Sequence, residues 1–211
     1  MEKNPTSAED LKTIRKIMEG STKFLSLSGF SGLFPGLFAI AGALIAHFLI
    51  LDKGDLSYGE YFSSLSGKEM DTVKWLLTAA AISVLLLSLV TAFYFTFRKA
   101  KGSGESFLTP VSKRMFINLL VPLVTGGLFV LILLIQDYFQ LIVPGLLIFY
   151  GLALINAGKF TYNEIFYLGI LEILTGLACM LFPDMWLTFW ITGFGILHIC
   201  YGLFMYRKYE A

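Results

Sequence analysis

Charge is scarce in this chain, and it is missing from most of its length. Charged residues make up 15% of the 211, against 56% hydrophobic. A soluble domain carries about 25% charged and about 45–50% apolar residues, so an ordinary soluble domain is excluded. Cysteine is nearly absent. Cys179 and Cys200 are too few for a disulfide framework, and counting along their helices puts them toward opposite membrane faces. The two histidines, His47 and His198, lie toward opposite ends in the same way, which excludes a shared metal site or a bis-histidine haem. There is no Cys-x-x-Cys, His-Glu-x-x-His, phosphate loop, G-x-G-x-x-G or N-x-[ST] acceptor. No cofactor or metal is therefore expected. The net charge of +1 leaves no electrostatic footprint for nucleic acid. No cleavable signal peptide is expected, because the first apolar run follows a charged stretch and is too long for a signal core.

What is present is six long apolar windows, at 25–51, 76–97, 115–135, 138–157, 165–182 and 185–205. Each is near the ~20 residues that cross ~30 Å of hydrocarbon as a helix. Of 16 Lys and Arg and 15 Asp and Glu in the chain, only Glu172 falls inside them. The expected fold is an all-α bundle of six transmembrane helices over 24–211, preceded by a juxtamembrane segment at 1–23. The basic residues sort to one side: the segment before span one, the inner loop 98–114, Lys159, and Arg207 with Lys208. The other side has only Lys53, Lys68 and Lys74. By the positive-inside rule both termini are cytoplasmic, in the cytoplasmic membrane of a prokaryote. Trp75, Trp186 and Trp190 are expected at the outer interface, and Tyr162, Tyr206 and Tyr209 at the inner one.

Residues 6–19 read as an amphipathic cytoplasmic helix. Thr6 and Glu9 form a capping box, Gly20 ends the run, and Leu11, Ile14 and Met18 make the apolar stripe. Such a helix rests on its own bundle or on lipid headgroups, or docks a cytoplasmic protein. Span one carries small residues at helical spacing: Ser28, Gly32 and Gly36, then Ala39 and Ala43. Such faces let membrane helices approach closely, either within the chain or as a homo-oligomer contact. Pro35 is expected to kink the helix. The outer loop 52–75 is polar, with Tyr58, Tyr61 and Phe62 near the headgroups. The remaining outer turns, Gln136–Asp137 and Pro183–Asp184, are short, so spans 3–4 and 5–6 should be tight hairpins. Thr125-Gly126 recurs as Thr175-Gly176, Gly145 as Gly195, and Tyr150-Gly151-Leu152 as Tyr201-Gly202-Leu203, which reads as a parallel repeat of the two hairpins.

The stretch LGILEILTGLACMLFPDMWLTFWITGFGILHICYGLFM is a Gly- and Leu-rich span, a Phe-Pro turn and a second span with spaced glycines. It resembles the hairpin unit of the six-span acid-resistance membrane protein family of the HdeD type. The likeness covers 165–205, is thinner over 115–157 and does not reach 1–110. It implies a stress-related envelope role without catalysis and supplies no functional residues. The run STKFLSLSGFSGLFPGLFAIAGALIA looks like the opening of uncharacterised multi-pass bacterial membrane proteins and implies no activity.

Glu172 is the foremost candidate for chemistry. A carboxylate at mid-span costs about 2.5–3.5 kcal/mol on insertion scales, so it should face the bundle interior. At 1.5 Å per residue, Glu172 and His198 each lie about 11 Å from the cytoplasmic ends of their spans. They therefore sit at matching depth on consecutive helices and form a candidate proton or ion site. The alternative is a static polar pair that fixes helix register. Gly29-Phe30-Ser31-Gly32 resembles the G-x-S-G nucleophile motif of rhomboid intramembrane serine proteases, which implies Ser31 with His198 as remote catalytic candidates. The motif stands in span one rather than span four, and the family's second-span His and Asn are missing. His47 should snorkel to the outer interface, and Asn118 and Asn156 should serve helix ends. The first expectation is therefore a non-enzymatic stress-related, structural or regulatory membrane bundle that contacts lipids and no nucleic acid. The alternative is a small proton-linked transporter or channel using Glu172 and His198. A reporter active only in the cytoplasm, fused to the C-terminus, is expected to give signal; an outward C-terminus would overturn the charge argument.

Overall fold

A computed structural model describes residue 14 and residues 23–51, 56–103 and 107–211. Apart from Ile14, the helix and docking site expected at 6–19 lie outside the described residues. Among the described residues the chain is mostly helical and has no strand. Six stretches are long and apolar enough to cross a membrane, as expected of a multi-pass membrane protein: Phe30–Ile50, Gly67–Gly102, Pro110–Ile135, Phe139–Gly158, Asn163–Leu181 and Pro183–Tyr209. The first is helix α1 (Phe30–Ile45) with a terminal π turn, Ala46–Ile50. A short helix α2 (Tyr58–Ser64) follows. Spans two to five are α3 (Gly67–Gly102), α4 (Pro110–Ile135), α5 (Ile142–Gly158) and α6 (Asn163–Leu181). Span six changes its winding without a break: α7 (Trp186–Trp190), a π segment Ile191–Leu197, then α8 (His198–Tyr209).

The helix starts follow local chemistry. Ser57 with Glu60, Ser66 with Glu69, and Thr109 with Ser112 form capping boxes, and Pro110 occupies the first turn of α4. The turn between spans three and four passes through Asp137 at φ 60°, a left-handed conformation that Asp tolerates better than most residues. These boxes correct the expected outer loop 52–75, which contains α2 and the first turns of α3. The 36 residues of α3 reach about 54 Å, so its polar ends project beyond the hydrocarbon. The sequence windows recorded only the apolar middle.

Span one begins at Phe30 rather than at 25. Residues 24–27 are instead held by the loop after α5. Phe24 donates its N–H to Phe160 O at 2.7 Å. Thr161 donates to Phe24 O at 2.6 Å, and Tyr162 donates to Leu25 O. Lys99 donates to Leu27 O at 2.8 Å. The Glu210 carboxylate then accepts from the Gly29 N–H at 2.6 Å, from Ser28 Oγ at 3.2 Å and from Lys99 at 3.1 Å. This places an anion at the N-terminus of α1, where the helix dipole favours it. This basic end also holds the Lys208–Glu164 pair at 2.6 Å. At the far end Lys74 pairs with Asp137 at 2.6 Å. There α2 lies across the bundle, with the Gly59 N–H on Asp184 Oδ1 at 3.2 Å and Tyr58 against Trp186.

Membrane helices gain little by hydrophobic association and depend on close packing. Here that packing is set by glycine. A Cβ added to Gly36 would lie 2.7 Å from Gly195 O, and one on Gly202 would lie 2.5 Å from the Leu33 nitrogen. A Cβ on Gly151 or on Gly169 would lie 2.6 Å from the other's carbonyl oxygen. Spans one and six therefore touch backbone to backbone, as do spans four and five. Span two packs on span one, and span three on span four. The small face of span one is thus buried inside the chain: Ser28 is buried, as are Gly32, Gly36, Ala39 and Ala43. The face offered for a homo-oligomer is already covered by span six. Pro35 lies within α1, which runs unbroken from Phe30 to Ile45.

The two hairpins do not pack as equivalent units. Gly126 and Gly176 both face span four, from spans three and five, whereas Gly145 faces Phe129 and Val130 and Gly195 faces Ile40. Trp190, expected at the interface, turns inward and donates Nε1–H to Ala39 O at 3.1 Å. Tyr162 is likewise buried. Leu at Gly36 is expected to destabilise the folded protein by about 3 kcal/mol or more through overpacking. Gly127→Leu should be tolerated, because nothing lies within 4 Å of a Cβ there. Thermal unfolding of the two variants in detergent micelles checks the contrast.

Candidate functional site

The acid of span five and the histidine of span six meet. Glu172 has no exposed surface and His198 is buried; His198 Nδ1 lies 3.3 Å from Glu172 Oε1. This is ion-pair distance without hydrogen-bond alignment, and neither oxygen of Glu172 has a hydrogen-bond partner among the described residues. Nδ1 also lies 3.1 Å from Gly193 O, while Nε2 lies 2.7 Å from the hydroxyl of Tyr150 on α5. The protonation pattern follows from these neighbours. Nδ1 faces the Gly193 carbonyl, an acceptor, and Glu172, which accepts when ionised and can donate when protonated. Nε2 faces a hydroxyl that can give or take a hydrogen. An isolated carboxylate here would cost several kcal/mol in lost hydration. Glu172 is therefore neutral beside a neutral imidazole, or ionised beside an imidazolium. Both arrangements contain one shared proton and leave the pair without net charge.

Local backbone structure builds this contact. Over Ile191–Leu197 span six winds as a π helix, in which equivalent groups recur at about five residues rather than four. That winding brings the His198 ring back over Gly193, five positions earlier. Gly193 itself must be bare: a Cβ would stand 2.7 Å from Glu172 Oε2 and 2.4 Å from Leu147 Cδ2. Tyr150 stacks on the His198 ring at 5.4 Å, and Phe194 packs against Tyr150 at 5.5 Å and lies 6.3 Å from the His198 ring.

Sequence reasoning pairs Glu172 with His198 by depth alone. Tyr150, Gly193 and the π winding escape it. The available signals were a tyrosine at mid-span and two glycines bracketing Phe194 shortly before the histidine. Ser31 is not brought to His198: its hydroxyl donates to Ser28 O at 2.5 Å, and the ring nitrogens of His198 face Tyr150, Gly193 and Glu172. The glycines of the G-x-S-G run serve packing instead, with Gly29 on Gly202 and Tyr206, and Gly32 on Tyr201. His47 Nδ1 lies 3.1 Å from the Tyr58 hydroxyl. Asn118 and Asn156 donate to carbonyls of their own helices. Comparison with protein-family models, with curated proteins and with solved structures finds no match.

Gly193→Ala should cost about 1–3 kcal/mol by overpacking. The cost should shrink by at least about 0.5 kcal/mol in a Glu172→Ala background, since one of the two clashing groups is then gone. A double-mutant cycle on thermal unfolding in micelles checks this; strict additivity would contradict the contact.

Proposed function

We propose that this chain is a proton-linked carrier of a prokaryotic cytoplasmic membrane, with both termini cytoplasmic and the Glu172–His198 pair as its proton-binding site. One observation carries the reading: a fully buried carboxyl group with neither oxygen hydrogen-bonded, 3.3 Å from an imidazole nitrogen. A carboxyl group retained purely as helix glue would be expected to have donors on its oxygens. An ionisable group left in this condition inside a membrane bundle marks a proton or ion site by default. The π winding of span six beside it supports the same reading, because π turns inside helices are frequent at functional sites. Gain of one proton takes the pair from net negative to neutral, which changes the cost of keeping it in hydrocarbon. That difference is what a carrier requires to couple proton binding to movement.

A second reading is the non-enzymatic stress-related or regulatory bundle, with residues 6–19 as its docking helix. The backbone contacts of spans one with six and four with five favour it, because they make a stiff body. In that case the pair only fixes the register of spans five and six.

Proton flux in proteoliposomes under an imposed pH gradient and potential separates the two. The wild type is expected to conduct, and Glu172→Gln to fall to the level of protein-free vesicles. No flux from correctly folded and inserted wild type would remove the carrier reading and leave the structural one.

A further inference from the structure

Spans two and three follow one another in the chain but hardly pack on each other. Span two rests on span one, and span three on span four. Ties between them are seen near their ends. At the basic end Phe107, in the link between them, stands 5.1 Å from the Phe93 ring of span two and 5.7 Å from the Phe116 ring of span three. At the far end Lys74 of span two pairs with Asp137, just past span three, at 2.6 Å and lies 5.5 Å over the Phe139 ring. Between these ties the 18-residue apolar core of span two has no buried residue. There Leu89, Val90, Phe93, Tyr94 and Phe97 line an open, almost wholly apolar groove of about 460 Å³.

The groove has a charged end. Lys101 follows Phe97 by one helical turn, and Arg98 follows Tyr94 in the same way. Lys113 and Arg114 stand in the opening turns of span three, across the link. All four are exposed, and none has an ion-pair partner among the described residues. By contrast, Lys74, Lys99 and Lys208 are each paired with a carboxylate. The Tyr94 hydroxyl, in the groove wall, has no hydrogen-bond partner among the described residues either. From Leu89 to Phe97 the groove runs about 12 Å along the helix, with Lys101 about 6 Å beyond. An occupant therefore has an apolar chain and an anionic head. A second copy of this chain fits less well. Two copies in one orientation would meet with their unpaired cations at the same depth, and apposed like charges oppose such a contact.

We propose that this groove holds the acyl chain of an anionic phospholipid, with Arg98 and Lys101 at its phosphate and Lys113 and Arg114 adding positive field from span three. The cations attract the head, the aromatic rings give dispersion contact with the chain, and Tyr94 offers a donor to an ester carbonyl. The site is independent of the Glu172–His198 pair.

For the test, the full chain is reconstituted in phosphatidylcholine vesicles with a trace of phosphatidylglycerol bearing a diazirine on its acyl chain. A phosphatidylcholine with the same chain is the reference, and adducts formed on irradiation are mapped by mass spectrometry. Leu203 and Phe204 serve as the internal comparison, since they are also exposed and apolar and precede Arg207 and Lys208. Phosphatidylglycerol is expected to be preferred several-fold more strongly at 89–97 than at 203–204, and unlabelled phosphatidylglycerol should compete that excess away. Arg98→Gln with Lys101→Gln should cut the preference at 89–97 about fivefold or more and leave that at 203–204 within about twofold. Val90→Trp fills the groove and spares the charges. It should remove the saturable excess as well, whereas attraction of headgroups alone would keep it. Equal preference at both places, an excess that does not saturate, or an excess retained in Val90→Trp overturns the site. Protection of 89–97 from both lipids, with a cross-linked dimer trapped there, assigns the groove to a second copy and overturns it too. Should the double variant not reconstitute, the competition in the wild type and Val90→Trp decide.

Discussion

A carboxyl group held out of water must be neutral or must face a cation, and the centre of this bundle is arranged around that constraint. Glu172 has no exposed surface and its nearest polar neighbour is the His198 ring. For the ring to reach it, span six must abandon α winding over Ile191–Leu197. For the carboxyl to fit, position 193 must lack a side chain. Tyr150 then has to stand on span four to meet the remaining ring nitrogen. Three helices are thus fixed relative to one another by the solvation problem of one residue.

Around that centre, the packing is done by backbone rather than by bulk. The contacts of Gly36 with Gly195 and of Gly151 with Gly169 share a further feature. In each, an isoleucine four residues beyond one glycine lies against the other: Ile199 against Gly36, Ile40 against Gly195, Ile173 against Gly151 and Ile155 against Gly169. The glycine admits the neighbouring backbone and the isoleucine fills the next turn. In lipid, where apolar side chains gain nothing by leaving the solvent, this close fit supplies the dispersion contact that holds helices together. The leucine-rich faces of spans two and three, with Leu85, Leu86, Leu128 and Leu131 half exposed, are left to the surroundings.

What was legible in the sequence was what regular helix geometry decides. The six spans follow from apolar length, and the meeting of Glu172 with His198 follows from a constant rise per residue. What was illegible is where regularity stops. The π winding at Gly193 changes which residues share a face, so Tyr150 could not be placed against His198 by counting. Trp190 was assigned to the interface by its type, yet the Ala39 carbonyl offered its indole a partner inside the bundle. Residues 25–29 are apolar enough to continue α1, but Thr161, Tyr162 and Lys99 hold the carbonyls before it. Long-range hydrogen bonds of that kind leave no periodic trace. The G-x-S-G run shows the reverse error: its spacing matched a chemical motif, while its glycines answer to the contact with span six.

The carboxylate on Gly29 bears on how this molecule is assembled. The N–H that opens span one is satisfied by Glu210, 181 positions further along the chain. At roughly 5–20 residues per second, translation needs about 10–35 s to supply that partner after Gly29 has been made. Until then span one has the Ser28 hydroxyl on the Phe30 N–H but no partner from Glu210 for the Gly29 N–H, and the glycine surface meant for span six is open. Closure of the bundle is therefore an event near the end of biosynthesis, when span six and the residues after it have been made.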